Sequence, residues 1–133
     1  NLEAETVPSP IGNARTLIFI DDEENIRESM KLLLEQWDFE VLLASSIDEA
    51  VAHAVHHHEP IHAVVSDLRL RNGEDGLQAI ARVKGVLGPD LPAVLVTGDT
   101  SPEQVKRVHD SGLRVLFKPV QPKALFSVLR QLG

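Results

Sequence analysis

Short apolar runs alternate with amphipathic segments along almost the whole chain, and this alternation restricts the fold more than any other feature of the sequence. Five runs have the length and composition of buried strands: residues 16–20, 40–43, 63–66, 93–96 and 115–117. A segment with apolar residues at i, i+3 and i+4 follows each run, which predicts five helices. Strands that are apolar on both faces and separated by helices indicate a parallel sheet covered by right-handed crossovers. The pattern therefore predicts an α/β fold, a single doubly wound (βα)5 domain.

The first 14 residues do not share this alternation. They contain Pro8, Pro10 and Gly12 among small and polar residues and lack apolar periodicity. We therefore divide the chain into a linker or flexible tail over residues 1–14 and a folded domain over residues 15–133. A length of 133 residues suits one domain of this kind rather than two.

Charge and composition exclude several classes of partner. The chain has 13 Lys and Arg against 20 Asp and Glu, a net charge of −7 at pH 7 with histidine neutral, so we expect no direct contact with nucleic acid. Its apolar runs are far too short to cross a bilayer, so we expect no direct membrane contact. The sequence has no cysteine and carries Glu3 and Glu5 near its start in place of a basic signal region, which predicts a cytoplasmic location.

Two of the predicted helices carry a start signal. Ser46 with Glu49, and Ser101 with Gln104, have the spacing of a capping box. In that motif the hydroxyl and the longer polar side chain satisfy backbone N–H groups that the first helical turn leaves free. We therefore predict that helices begin at these two serines.

Polar residues follow four of the five predicted strands. Asp21 and Asp22 follow the first strand, Asp67 the third, Thr97 the fourth and Lys118 the fifth. Alone, each would be explained as a helix cap or a surface residue. The carboxyl ends of parallel strands meet at one edge of such a sheet, however, and ligands bind there. Three carboxylates brought together repel one another unless a cation joins them, so the pattern predicts a Mg²⁺ site.

Four short motifs carry a resemblance to a known family. They are Ile-Asp-Asp-Glu at residues 20–23, Val-Val-Ser-Asp-Leu at 64–68, Val-Thr-Gly at 96–98 and Phe-Lys-Pro at 117–119. Over residues 15–132 the chain resembles the response-regulator receiver domains of two-component signalling. The resemblance implies a flavodoxin-like fold whose parallel five-stranded sheet has the order 2-1-3-4-5, and it implies Mg²⁺ as cofactor.

The resemblance also assigns roles to the strand-end residues. Asp67 corresponds to the phosphoacceptor, whose carboxylate attacks phosphorus to form an acyl phosphate. Asp21 and Asp22 correspond to the residues that hold Mg²⁺ together with Asp67, and the backbone carbonyl of Arg69 corresponds to a further ligand.

The remaining two strand-end residues correspond to groups that contact the phosphoryl group. Thr97 would donate a hydrogen bond to one phosphoryl oxygen and Lys118 would pair with another. These roles make chemical sense, because phosphoryl transfer requires mainly positioning and neutralisation of the equatorial oxygens. The resemblance further implies a cis peptide bond before Pro119.

The chain departs from the family pattern at its switch positions. Many receivers have an aromatic residue three positions before the lysine that turns inward on phosphorylation, and this chain has Val115, which has no ring to reorient. Arg71 stands where many relatives have proline. A second hypothesis concerns Arg69 and Asp99, which flank the site and would slow attack by water if they formed a salt bridge. We favour the simpler interpretation, two solvated side chains whose interaction is worth under about 1 kcal/mol.

The predicted function is therefore a receiver that takes a phosphoryl group from a histidine kinase or a histidine phosphotransfer protein onto Asp67. Such a domain assists its own phosphorylation and dephosphorylation without being a conventional enzyme. A linker before the domain and a helix that ends at residue 132 suit the C-terminal receiver of a hybrid sensor histidine kinase. A stand-alone regulator, a clipped transcription factor and a homodimer remain open.

Two other functions are weaker. A degenerate receiver that serves as an interaction module would not need the complete set of strand-end residues. A phosphatase of the haloacid-dehalogenase type also uses a strand-end aspartate, but it resembles Asp-x-Asp-x-Thr after the first strand. This chain has Asp-Asp-Glu-Glu-Asn at residues 21–25, which fits that class poorly.

Overall fold

The structure, a computed structural model, describes residues 15–132. Strands and helices alternate strictly: β1 (Arg15–Ile20), α1 (Glu24–Gln36), β2 (Phe39–Ala44), α2 (Ile47–His56), β3 (Ala63–Asp67), α3 (Gly76–Leu87), β4 (Ala93–Thr97), α4 (Pro102–Ser111), β5 (Arg114–Phe117) and α5 (Pro122–Leu132). All five predicted strands are confirmed, each one or two residues longer than predicted. The predicted linker or tail, residues 1–14, lies outside the described residues.

The described residues form one parallel sheet of five strands in the order β2-β1-β3-β4-β5. This order confirms the one that the family resemblance implied. In the register, Ile20 lies opposite Ser66, Asp67 opposite Val96 and Thr97 opposite Phe117. The residues at and just after these positions therefore come to the same edge of the sheet.

The sheet separates two apolar cores. On one face α2, α3 and α4 cover the strands, with Ala50, Ile80 and Val108 among the buried helix residues. On the other face α1 and α5 do so through residues such as Leu34 and Leu125. The central strands β1, β3 and β4 are consequently apolar on both faces, which is why they appear in the sequence as uninterrupted apolar runs.

The helix starts match the predicted capping boxes only in part. Ser46 accepts a hydrogen bond from the Glu49 N–H at 3.2 Å, but the Glu49 carboxylate accepts from the N–H of Ser45, not from that of Ser46. The predicted start of α4 at Ser101 is confirmed, because Ser101 is the residue that precedes the first helical turn. The capping box predicted there is wrong, because the Ser101 side chain makes no capping hydrogen bond within the described residues. Instead the carboxylate of Asp99 accepts from the Ser101 N–H at 2.9 Å, since the chain turns back before α4 begins.

Among the helices of residues 15–132, none has both the length and the apolar character required to cross a bilayer.

Candidate functional site

Backbone hydrogen bonds fix the strand ends that carry the predicted site. The N–H of Asp21 donates to the Ala44 carbonyl at 3.0 Å, one residue beyond β1. The N–H of Lys118 donates to the Thr97 carbonyl at 2.9 Å, one residue beyond β5. Asp67 is the last residue of β3 and lies in its ladder opposite Val96. The positions of these side chains are therefore set by the sheet rather than by mobile loops.

Three carboxylates meet at this edge, as the sequence predicted. Oxygens of Asp21, Asp22 and Asp67 all lie within 4.8 Å of one another. Asp21 is 2% exposed and Asp67 is 7% exposed. Burial, with a smaller contribution from the negative charges of Asp67 and Asp22, raises the pKa of Asp21 to about 6, although the hydrogen bond from the Glu23 N–H and the charge of Lys118 lower it. Carboxylates crowded in this way fit a divalent cation, which would relieve their repulsion.

Burial and charge repulsion at Asp21 predict that the stability of the folded domain depends on pH. The pKa of Asp21 is higher in the folded than in the unfolded state, so the folded protein binds this proton more tightly and loses stability as the pH rises from about 3.8 to about 6. Asparagine keeps the hydrogen bond from Glu23 without the charge. In chelator, we expect Asp21→Asn to raise the free energy of unfolding near pH 7 by roughly 1–3 kcal/mol, and the gain to vanish at about pH 4.

Urea unfolding of both proteins at the two pH values measures this difference. Asp90→Asn, which removes an exposed carboxylate from the loop before β4, is the matched control. A gain for Asp21→Asn that is equal at both pH values, or no gain at all, would contradict the crowding of these carboxylates.

Lys118 faces the buried Asp67. Its Nζ donates to Asp67 Oδ1 at 3.2 Å. Burial raises the pKa of Asp67, and the charge and hydrogen bond of Lys118 offset this only in part. Burial works to lower the pKa of Lys118, but the charge and hydrogen bond of Asp67 outweigh it, so the pKa of the ammonium is raised. Lys118 therefore places a permanent positive charge beside Asp67. The peptide bond between Lys118 and Pro119 is cis, as the resemblance implied.

Thr97 is the last residue of β4, the strand beside β3, and is 2% exposed. Its Oγ1 accepts a hydrogen bond from the Asp99 N–H at 3.0 Å. This bond uses one lone pair of the hydroxyl and leaves its hydrogen free to be donated. Together these side chains line an open cleft of about 730 Å³, whose walls include Asp22, Asp67, Arg69, Thr97, Gly98, Asp99 and Lys118.

Arg69 and Asp99 form a salt bridge across this cleft. Arg69 Nη2 and Nε lie 2.5 and 3.2 Å from Asp99 Oδ2. The hydrogen bond from Arg69 lowers the pKa of Asp99 to about 2, with help from the N–H and hydroxyl of Ser101. The two side chains are therefore in contact, with the Arg69 side chain 74% exposed, and the slowing of water attack by this pair stays a prediction. The bond that Asp99 accepts from Ser101 holds the carboxylate in place, so Arg69 meets a partner that is already fixed.

Three polar contacts of the β3–α3 loop (residues 68–75) had no signal in the sequence. Arg71 Nε lies 3.3 Å from Oδ2 of Asp22, a member of the carboxylate cluster. The other two contacts join Glu74 Oε1 to the Ile47 N–H at 3.1 Å and Asp75 Oδ2 to Arg107 Nη2 at 2.5 Å. The partners are 49, 27 and 32 positions apart in sequence, and no motif links residues at such separations.

Val115 lies in β5 and is half-buried. It packs against the core cluster on the face that α2, α3 and α4 cover. The position at which many receivers carry a mobile ring is thus occupied by a small, stiff side chain in apolar contact.

Fold and site together define the class of protein. It is a doubly wound α/β domain with a strand-end site that combines three carboxylates, a threonine and a lysine. A family model described as the response regulator receiver domain matches residues 17–130. The chain belongs to this family, the receiver domains of two-component signalling.

Similar proteins include regulators and a kinase. The C4-dicarboxylate transport transcriptional regulatory protein DctD of Rhizobium meliloti is 33% identical over 119 residues, which cover 89% of this chain and 25% of that protein. The CAI-1 autoinducer sensor kinase/phosphatase CqsS of Vibrio cholerae is 28% identical over 116 residues, 85% of this chain and 16% of that protein. A response regulator receiver protein from Pseudomonas putida has a crystal structure with a TM-score of 0.77 and 26% identity, covering 90% of this chain and 98% of that one. The chain spans a quarter or less of the two curated relatives.

Proposed function

We propose that this domain accepts a phosphoryl group on the carboxylate of Asp67, from a phosphohistidine of a histidine kinase or a histidine phosphotransfer protein, in a Mg²⁺-dependent reaction. The observation that carries the proposal is the surroundings of Asp67. An ammonium lies 3.2 Å from one of its oxygens, and two further carboxylates lie within 4.8 Å. An aspartate with a purely structural role would not require both the ammonium and the two neighbouring carboxylates.

The residues divide the work of the transfer. An oxygen of Asp67 attacks the phosphorus, the bond from phosphorus to the histidine nitrogen breaks, and the imidazole leaves as an acyl phosphate forms. The ammonium of Lys118 and the hydroxyl of Thr97 stabilise charge on two of the phosphoryl oxygens. The domain supplies positioning and charge, so it assists its own phosphorylation and dephosphorylation without acting as a conventional enzyme.

The acidic cluster would hold the Mg²⁺ ion through Asp21, Asp22 and Asp67, with the backbone carbonyl of Arg69 as a further ligand. Oxygen donors of this kind suit Mg²⁺. A bound cation would also relieve the repulsion from Asp67 and Asp22 that, together with burial, raises the pKa of Asp21. When bound, the ion neutralises charge on the transferred group.

Incubation with Mg²⁺ and acetyl phosphate, read by intact mass, tests the proposal. One phosphoryl group should be added, and chelation of Mg²⁺ should prevent the addition. Absence of any gain with a phosphohistidine donor as well would instead support the alternative, a degenerate receiver that acts as an interaction module.

The salt-bridged Arg69 and Asp99 line the cleft through which water would approach the acyl phosphate. We expect Arg69→Ala and Asp99→Ala to lose the phosphoryl group faster than the original chain, by up to about fivefold, because exposed ion pairs have small effects. The decay of phosphorylated protein after removal of the donor gives the rate. Lys31→Ala, which removes an exposed ion pair with Glu35 on α1, is the control. Unchanged decay in both cleft variants would show that the pair does not shield the site.

The cellular setting is part of the same proposal. We infer a cytoplasmic domain with a protein partner and no direct contact with nucleic acid or membrane. The likeness to a sensor kinase/phosphatase and to transcriptional regulators is compatible with a hybrid histidine kinase or with a response regulator as the whole protein. Phosphoryl transfer from purified candidate kinases, compared over short times, would identify the partner.

A further inference from the structure

Helix α4 has little apolar attachment to the rest of the domain. Of its ten residues, all within the described part of the chain, Val108 is the one that is buried. Helix α3 on the same face of the sheet buries four: Gly76, Ala79, Ile80 and Val83. The second valine of α4, Val105, is 39% exposed. Polar contacts therefore carry an unusual share of the attachment of α4.

The β3–α3 loop, which directly follows Asp67, supplies polar contacts to α4 at two points. At the start of the helix, Arg69 binds Asp99, and the same Asp99 carboxylate accepts from the N–H of Ser101 at 2.9 Å. Near the middle of the helix, Arg107 binds Asp75 at 2.5 Å. Asp75 is itself fixed, because its other oxygen accepts from the N–H of Gln78 at 2.9 Å and caps α3.

The two contacts differ in whether a phosphoryl group on Asp67 could disturb them. Arg69 and Asp99 line the cleft of the acidic site. Arg107 and Asp75 line a neighbouring cavity, which shares Arg69 and Leu70 with the cleft but does not include Asp67. A phosphoryl group on Asp67 would bring roughly two negative charges into the cleft and would compete with Asp99 for the Arg69 guanidinium. Nothing comparable would compete for Arg107.

We propose that phosphorylation loosens the start of α4 because the Arg69 guanidinium is then shared between Asp99 and the phosphoryl group, while the Arg107–Asp75 pair stays closed and serves as the pivot about which α4 moves. The inference rests on the proposed function of Asp67 as phosphoacceptor and adds a route for its signal. This route needs no aromatic side chain at position 115. Arg107 acts through α4 and is a positioning residue, since it contacts neither the cleft nor the reacting atoms.

Amide hydrogen exchange of the full chain tests the pivot. The probe is Mg²⁺ with beryllofluoride, a stable mimic of the phosphoryl group. In the original chain, we expect the probe to speed exchange at residues 99–105 more than at residues 107–111. This difference in response between the two segments is called the gradient. In Arg107→Gln, exchange throughout α4 should be about twofold to fivefold faster without the probe, and addition of the probe should no longer produce the gradient. Arg107→Lys should restore the gradient.

Two further variants make the comparison specific. Lys106→Gln removes the exposed Lys106–Asp110 pair from the same helix and should leave the gradient unchanged. Arg69→Gln should show fast exchange at residues 99–105 before the probe is added and no further rise afterwards. If Arg69 and Arg107 only stabilised the fold, Arg69→Gln and Arg107→Gln would exchange faster, but their response to the probe would equal that of the original chain.

Fluorine NMR of bound beryllofluoride distinguishes a failure of the proposed function from a failure of the pivot alone. If the probe does not bind the original chain, the proposed function fails and the pivot fails with it. If the probe binds and Arg107→Gln gives the same gradient as the original chain, the pivot alone is overturned. Binding with loss of the gradient in Arg107→Gln, and its return in Arg107→Lys, supports the pivot.

Discussion

Replacement of Asp67 by asparagine is expected to abolish phosphoryl uptake while leaving the fold intact. An amide oxygen is far too weak a nucleophile to form the acyl phosphate, and asparagine has the same shape as aspartate. Its carbonyl oxygen can still accept the hydrogen bond from Lys118, so that this ammonium keeps a partner. The loss should be complete at every donor concentration, because no binding step compensates for a missing nucleophile.

The measurement is the intact mass after incubation with Mg²⁺ and acetyl phosphate. Asp110→Asn, which changes an exposed aspartate on α4, should take up one phosphoryl group as the original chain does. Circular dichroism of both variants checks that the fold is preserved. Uptake by Asp67→Asn equal to that of the original chain would mean that another residue is the acceptor, and the central assignment would then be wrong.

The replacement Gly76→Ala is expected to be among the most destabilising single changes in the domain. A Cβ at this position would lie 2.2 Å from the backbone oxygen of Asp67 and 2.9 Å from Leu95 Cδ1. The backbone cannot easily move aside, because the Gly76 N–H donates to the Leu68 carbonyl at 2.7 Å where α3 begins. We expect a loss of about 3 kcal/mol in the free energy of unfolding. Such a loss is a large fraction of the stability of an ordinary domain.

Gly85 in the same helix provides the matched control. It is exposed, and within the described part of the chain no atom lies within 4 Å of the position its Cβ would take. Gly85→Ala should therefore stabilise the domain by up to about 1 kcal/mol, because alanine favours the helical backbone. Urea unfolding curves give both values, and equal midpoints for the two variants would contradict the close approach of α3 to Asp67. We also expect slower phosphoryl uptake in any Gly76→Ala protein that remains folded, since the strain falls on the backbone of the nucleophile.

Much of the fold was predictable from the sequence, because burial on both faces leaves a direct trace in a parallel sheet. Strands β1, β3 and β4 have every or almost every residue buried, so they stand out as apolar runs whatever their neighbours are. The order of the strands was not deducible from these runs. It came from the resemblance to the receiver family, and the pairing of β1 with both β2 and β3 confirmed it.

The central residues of the candidate site were predictable for a related reason. Asp21, Asp22, Asp67, Thr97 and Lys118 follow strands directly, and the sheet brings strand ends together without help from any other contact. The polar contacts around these five residues were not predictable from the sequence. Ser101 has the sequence spacing of a capping residue, yet its hydroxyl makes no capping bond, and its own N–H donates to the carboxylate of Asp99.

By itself, the sequence determined which residues are buried, where the strands end and which chemical groups those ends present, since hydrophobic periodicity and chain connectivity act locally. Only the tertiary structure decided which of the exposed charges are neighbours. The β3–α3 loop has to be folded against α4 before Arg69 can find Asp99 and Arg107 can find Asp75. Long charged side chains reach partners tens of residues away, and the energy of such a pair depends on distances that no local pattern encodes.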